Sequence, residues 1–165
     1  MTSNQSSTDL RKAIEATTKS FLAAYTDSAN QHDPSLINRD VTSDCTRHLL
    51  PNTMLNAFGV PTDFSIDNAS YVKNLVKDLR VCSVQNSVIS NLVIDTEARK
   101  AALTSTSDIV YKEGSDSHPI EFSWFLDFNE DGSKVKKVIE FCDKDTVLLM
   151  HARVEAGQPK EDKSS

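Results

Sequence analysis

"PIEFSWFLDFNEDGSKVKKVIEFCD", residues 119–143, is the stretch on which the fold turns. Its first part alternates: Ile120, Phe122, Trp124, Leu126 and Phe128 fall on one face, Glu121, Ser123, Phe125 and Asp127 on the other. A period of two marks a half-buried strand. The centre imitates a calcium loop, with Asp127, Asn129, Asp131 and Gly132 at its first, third, fifth and sixth positions. Such a loop needs a bidentate carboxylate at its twelfth position and a helix on each side. Here the twelfth position is Val138, the eighth is Lys134, and both flanks alternate as strands. The spacing therefore predicts a hairpin and no metal. Asn129 to Gly132 supply the turn chemistry, and Gly132 can take a positive φ beside a bulge.

Two more strand patterns lie upstream. "SVQNSVISNLVID" (83–95) and "KAALTSTSDIVYK" (100–112) are rich in Val, Ile, Thr and Tyr, and "KVKKVIEFCD" (134–143) follows the turn. Helical spacing appears before them. Leu10, Ile14, Thr17, Phe21 and Tyr25 form one stripe over 8–26, with Thr8 and Asp9 at its start. Asp33-Pro34 can open a short helix carrying Leu36 and Ile37. "VTSDCTRHLLP" (41–51) reads as a short strand, and residues 52–66, with Gly59 and Pro61, read as a loop. Tyr71, Leu75 and Leu79 mark a helix over 67–79, capped by Asp67 or Asn68, and "DTVLLMHARV" (145–154) a closing one. Helices first and then strands joined by short turns predict an α+β fold with a curved antiparallel sheet wrapped over the N-terminal helices.

The 165 residues fit one domain, placed at 8–154, with polar tails at 1–7 and 155–165 expected to be disordered. A net charge of −6 argues against a nucleic-acid surface. No apolar run approaches the ~20 residues of a membrane span, and the polar N-terminus does not resemble a signal peptide. Cys45, Cys82 and Cys142 have no zinc-like spacing and suit reduced thiols in a cytoplasmic protein. The four glycines never cluster, and no H-E-x-x-H, C-x-x-C or G-x-S-x-G occurs, so neither a nucleotide cofactor nor a catalytic metal is expected.

Glu140 stands out on the last strand. It shares a face with Val138 and Cys142, while Ile139 and Phe141 occupy the other, so neither face is polar and both are expected to be covered. A carboxyl in such surroundings is desolvated and its pKa rises toward a range useful for proton transfer. An ion pair with a lysine or arginine, or simple exposure near a strand end, fits the same pattern.

The segments "INRDVTSDCTRHLLP" (37–51), "NASYVKNLVKDL" (68–79) and "FSWFLDFNEDGSKVKKVIEFCD" (122–143) resemble the small fungal SnoaL-like proteins of the nuclear-transport-factor-2-like superfamily. The matching residues are Arg39, Asp44-Cys45, His48, Leu50-Pro51, Tyr71, Val138, Glu140, Phe141 and Asp143. One departure is Arg47, which directly follows Thr46 where a histidine is more usual. The resemblance implies a cone-shaped α+β barrel, usually a homodimer through the outer sheet face. It also implies a cofactor-free isomerase or cyclase acting on polycyclic intermediates of meroterpenoid, prenylated indole alkaloid or polyketide pathways. Semipinacol shifts, ring closures and double-bond isomerisations are the reactions in question.

The resemblance makes Arg39 and Glu140 the working pair. Arg39 would stabilise a developing oxyanion, since guanidinium is always charged and offers several donors; alternatively it caps the 34–38 helix or pairs with Asp40. Glu140 would move the proton. His48 is either a second acid/base group or an ordinary strand histidine. Asp44 could orient His48 or Arg39, or cap a turn. Tyr71, Tyr111, Trp124 and Phe125 either line the substrate cavity or pack the core. Two competing functions remain: a dehydratase or aldol-type polyketide cyclase on the same fold, and a non-catalytic ligand- or protein-binding module.

Overall fold

The computed structural model describes residues 6–114 and 116–159. Helix α1 (Ser7–Asn30) starts where the Ser6 hydroxyl accepts from the Asp9 amide at 3.1 Å. Its stripe of Leu10, Ile14, Thr17, Phe21 and Leu22 is buried. A 3₁₀ turn (Pro34–Asn38), opened by the Asp33 carboxylate on the Ser35 amide, leads into β1 (Val41–Leu50). Then come α2 (Asn52–Ala57), α3 (Asn68–Val81), β2 (Cys82–Asp95), β3 (Lys100–Tyr111), β4 (Ser117–Phe128), β5 (Val135–Cys142) and α4 (Lys144–Ala156).

Helix α2 lies in the segment expected to be a loop. Six residues are too few to show a period, and its N-cap Pro51 offers no side-chain hydrogen bond. Burial of Met54 and Leu55 holds it in place. The expected tails are also shorter than anticipated. Ser7 already belongs to α1, and Glu155 and Ala156 close α4. Gln158 donates to the carbonyls of Lys77 and Val154. Residues 1–5 and 160–165 lie outside the described residues.

The five strands form one sheet in the order β1-β5-β4-β3-β2. All neighbours are antiparallel except β1, which runs parallel to β5. The expected all-antiparallel sheet is corrected in this one pairing. Alternation tells which face a residue occupies but not which way its partner runs, and some ninety residues separate β1 from β5.

The β4–β5 hairpin turns as expected at Asn129–Gly132. The Asn129 amide donates to the Lys134 carbonyl, the Asn129 carbonyl accepts from the Gly132 amide, and Asp131 accepts from the Ser133 amide and hydroxyl. Gly132 has a φ of 74°, and a Cβ there would meet the Ile14 side chain at 2.9 Å. Its carbonyl accepts from Thr17 Oγ1 at 2.8 Å. The turn is therefore a close contact onto α1 as well as a reversal, and both requirements select glycine. Beside it, Leu126, Phe128, Val135 and Val138 are fully buried against Ile14 and Phe21. That packing fills the hairpin end of the cone. The opposite end, ringed by α2, α3 and α4, stays open as a cavity.

Candidate active site

The cavity measures about 400 Å³, within the usual range for a small-molecule site. Its walls are chiefly apolar. Leu22 comes from α1, Leu49 from β1, Phe58 and Phe64 from the segment after α2, Phe122 from β4 and Met150 from α4. Into this surface project Tyr25, Tyr71, Asp78 and Glu140.

Strand register places Glu140. It pairs with Trp124 across β4–β5 and with Leu49 across β1–β5, and Trp124 pairs with Leu103. Directly paired residues share a face, so Leu103, Trp124, Glu140 and Leu49 form one inward row. Burial pushes the Glu140 carboxyl up to about 7; the Arg47 cation opposes the rise and the Asp78 charge adds to it. Asp78 stands on α3 two turns beyond Tyr71 and reaches the same cavity. Burial pushes it up to about 6, with Lys77 opposing and Glu155 adding.

Tyr25 and Tyr71 join hydroxyl to hydroxyl at 2.9 Å. Burial, reinforced by the nearby Glu140 charge, raises both phenols above their ordinary range. They stay protonated near neutrality, and since one hydroxyl donates to the other, one O–H of the pair remains to donate to a substrate oxygen. Trp124 Nε1 donates to Ser105 Oγ at 2.9 Å, which fixes the indole against the cavity floor.

Arg47 lies behind this wall. Alternation along β1 turns Cys45, Arg47 and Leu49 inward, and Arg47 is wholly buried. Its guanidinium sits 4.0 Å from the Tyr71 ring centroid and 5.5 Å from that of Phe21. Nη2 donates to the Ile37 carbonyl and to Asn38 Oδ1, while Nε and Nη1 have no partner among the described residues. Burying a cation with no contacting carboxylate is costly. Its compensation comes from the two aromatic faces and from the negative charge available at Glu140.

Of the residues nominated from the sequence, Glu140, Tyr71 and Trp124 meet in the cavity. The other five lie outside its lining. Arg39 is held by Asp27 at 2.6 Å, Asp40 at 3.1 Å and the Ser20 carbonyl at 2.8 Å, and its own carbonyl accepts from Lys134. Its donors are spent at the edge of α1, which corresponds to the ion-pair alternative. His48 neighbours Arg47 and Leu49 and so falls on the outer face, where its Nε2 is 3.1 Å from Thr46 Oγ1. Burial and the Lys137 charge lower its pKa. Asp44 is exposed. Phe125, 48% exposed, is on the outer face because Trp124 beside it points inward. Tyr111 is buried near α4, its ring 5.6 Å from His118 and 4.3 Å from the Arg153 guanidinium.

Sequence reasoning passed over Asp78, Tyr25 and Arg47 as site residues. Asp78 was detectable as the seventh residue after Tyr71 on the α3 stripe, a polar residue on an inward face. Tyr25 ends the α1 stripe and gave no signal distinct from core. Arg47 carried one signal, a cation alternating with Cys45 and Leu49.

No family model matches the chain. A curated protein named monooxygenase dmxR10, from a Cryptosporiopsis species, is 29% identical over 122 residues, 74% of this chain and 77% of its own length. The pinacolase BvnE from Penicillium brevicompactum superposes with a TM-score of 0.68 at 20% identity, covering 89% of this chain and 97% of that one. PrhC from Penicillium brasilianum gives 0.68 at 16% identity, covering 89% and 91%. An ntf2-like protein of unknown function from Burkholderia pseudomallei gives 0.59 at 8% identity, covering 84% and 96%. With five curved strands closing over an N-terminal helix and these structures superposing on nearly all of it, the chain has the cone-shaped α+β fold of the nuclear-transport-factor-2-like proteins.

Proposed function

We propose that this protein is a cofactor-independent isomerase or cyclase that rearranges a polycyclic intermediate of fungal specialised metabolism by acid–base chemistry. The observation that carries the reading is Glu140, a carboxyl titrating near neutrality on the floor of a cavity whose walls are chiefly apolar. A group with its pKa near the working pH both gives and takes a proton readily. The apolar walls suit a rigid hydrocarbon skeleton and hold it in one conformer, which lowers the barrier and sets stereochemistry. The protonated Tyr25–Tyr71 pair supplies one free O–H donor for a carbonyl or hydroxyl oxygen as charge builds on it. Arg47 stabilises the ionised form of Glu140 from behind Tyr71. The names of the pinacolase and of the Cryptosporiopsis protein are names of fungal enzymes and support an enzyme.

The test is direct. The gene is deleted in its native host, the accumulating metabolite is purified, and the purified protein is incubated with it. The reading expects a product of unchanged mass, formed by the wild type and not by Glu140→Gln. Loss of water would favour the dehydratase or aldol-type cyclase. Gain of an oxygen atom would favour a monooxygenase, as the name of the Cryptosporiopsis relative suggests. Unchanged metabolite that nevertheless binds would leave a binding module. We further propose a homodimer through the outer sheet face, on which Val93, Phe125 and Phe141 are exposed.

A further inference from the structure

We propose that Asp78 is a second proton-transfer group of this cavity, taking a proton from one atom of the substrate while Glu140 delivers one to another. The inference rests on the reading of the preceding subsection and deepens it.

Position is the first argument. Tyr71, Asn74 and Asp78 follow one another at helical spacing on α3 and all line the cavity, and Glu140 meets them from β5. The two carboxyls thus come from different walls, so a substrate between them presents different atoms to each. The second argument is the lack of a structural task. Asp33, Asp67 and Asp143 all cap helices, and Asp27, Asp40 and Asp127 each hold a basic side chain. The Asp78 carboxylate, among the described residues, accepts no hydrogen bond and forms no ion pair, although the residue is half-buried at the cavity. An unpaired carboxyl in such a place costs stability, and a fold retains it most readily for its chemistry.

Electrostatics then divides the work. The groups acting on Asp78 are Lys77 on its own helix and Glu155 on α4, with the Cys82 thiol at the head of β2 beside it. Those acting on Glu140 are Arg47 from β1 and Asp78 itself, with Tyr25, Tyr71 and Cys142 close by. Asp78 at about 6 is mostly ionised at neutral pH, and Glu140 at about 7 is about half protonated. Both groups can therefore give or take a proton near neutrality, and the state with Asp78 ionised and Glu140 protonated supplies a base and an acid on two walls of one cavity. In the step, a C–H or O–H bond of the substrate breaks toward Asp78 and its electron pair forms the new bond within the skeleton. The Glu140 O–H bond breaks as its proton passes to the receiving carbon or oxygen. Mass is unchanged. The pair resets as Asp78 releases its proton to water at the cavity mouth and Glu140 takes one up. The substrate class is accordingly a polycycle with an acidic C–H or O–H at one position and a proton-accepting alkene or carbonyl at another.

The test uses the full chain, carboxyl-labelled with carbon-13, and the metabolite purified from the deletion strain. Two carboxyls should titrate above the ordinary range, one lost in Asp78→Asn and the other in Glu140→Gln, and Asp78→Asn should lower the Glu140 midpoint. With the metabolite, wild-type kcat should rise and then fall with pH. Asp78→Asn should lower kcat by ~10²-fold or more and lose the acidic limb, while Asp78→Glu keeps that limb. Lys73→Met, an exposed change on the same helix outside the cavity lining, serves as the neighbouring control, with matching circular dichroism. If Asp78→Asn retains wild-type kcat and the acidic limb while Glu140→Gln is inactive, the Asp78 role is overturned and the isomerase reading stands. If both variants are fully active, the reading itself falls. Should Asp78→Asn not fold, the wild-type titration decides: an Asp78 midpoint in the ordinary carboxylate range overturns the pair.

Discussion

Two neighbouring rows cross the sheet. The inner one runs Leu103, Trp124, Glu140, Leu49; the outer one runs Val93, Ala102, Phe125, Ile139, His48. They are offset by one residue on each strand, and that offset separates a desolvated acid on the wall of a cavity from a half-exposed apolar surface. Trp124 is 2% exposed and Phe125 48%. Their chemistry in the sequence is nearly the same, so aromatic identity alone says nothing about a site. The face does.

The comparison can be broken most decisively at Glu140. Glu140→Gln keeps the shape of the inner row and removes its acid, and turnover of the accumulating metabolite should fall ~10²–10⁴-fold. An unchanged rate would empty the inner row of chemistry. The aromatic pair sharpens the contrast in stability. Trp124→Ala should cost roughly 3–5 kcal/mol in denaturant unfolding. Phe125→Ala should cost under about 1 kcal/mol per monomer. If the outer face is a dimer contact, Phe125→Asp should shift the protein to monomer in light scattering.

A third measurement is stability against pH. Glu140 rises from 4.5 to about 7 on folding and Asp78 from 3.8 to about 6. The folded chain therefore holds more protons than the unfolded chain in that window, and stability falls as pH climbs through it. For Glu140 the loss is roughly 2–3 kcal/mol between pH 4.5 and 8. Glu140→Gln should flatten that slope in urea midpoints measured across the range, and an unchanged slope would place the titration elsewhere.

The smallest expected effects distinguish the two arginines. Arg39→Met breaks partly exposed pairs with Asp27 and Asp40 and should cost about 1 kcal/mol or less, leaving the Glu140 midpoint in place. Arg47→Met removes the cation that lowers Glu140, so the midpoint should move further up. Equal shifts in the two variants, read by carboxyl NMR, would contradict the separation drawn between them.

Most of the element boundaries were legible because they depend on local pattern. The α1 stripe, the Asp67 cap, the alternation of β4 and the Gly132 turn each place their own residues without reference to distant ones. Helix α2 escaped because its six residues are held by what Met54 and Leu55 bury. The site was legible in part. Glu140 was visible through its apolar neighbours, and Tyr71 and Trp124 through their stripes. Arg39 and His48 were nominated through the family resemblance, and a matching residue type does not say which way its side chain points.

The sequence by itself determined the α+β order, the hairpin and the inward face of β4, since helix and strand periods are properties of consecutive residues. Tertiary structure alone decided that β1 lies parallel to β5, which turns Arg47 inward and His48 out. It also decided that α3 closes over the sheet, so that Asp78 and Glu140 share one cavity. Those relations join residues far apart in the chain. Their energies come from desolvation and through-space charge, which no local pattern encodes.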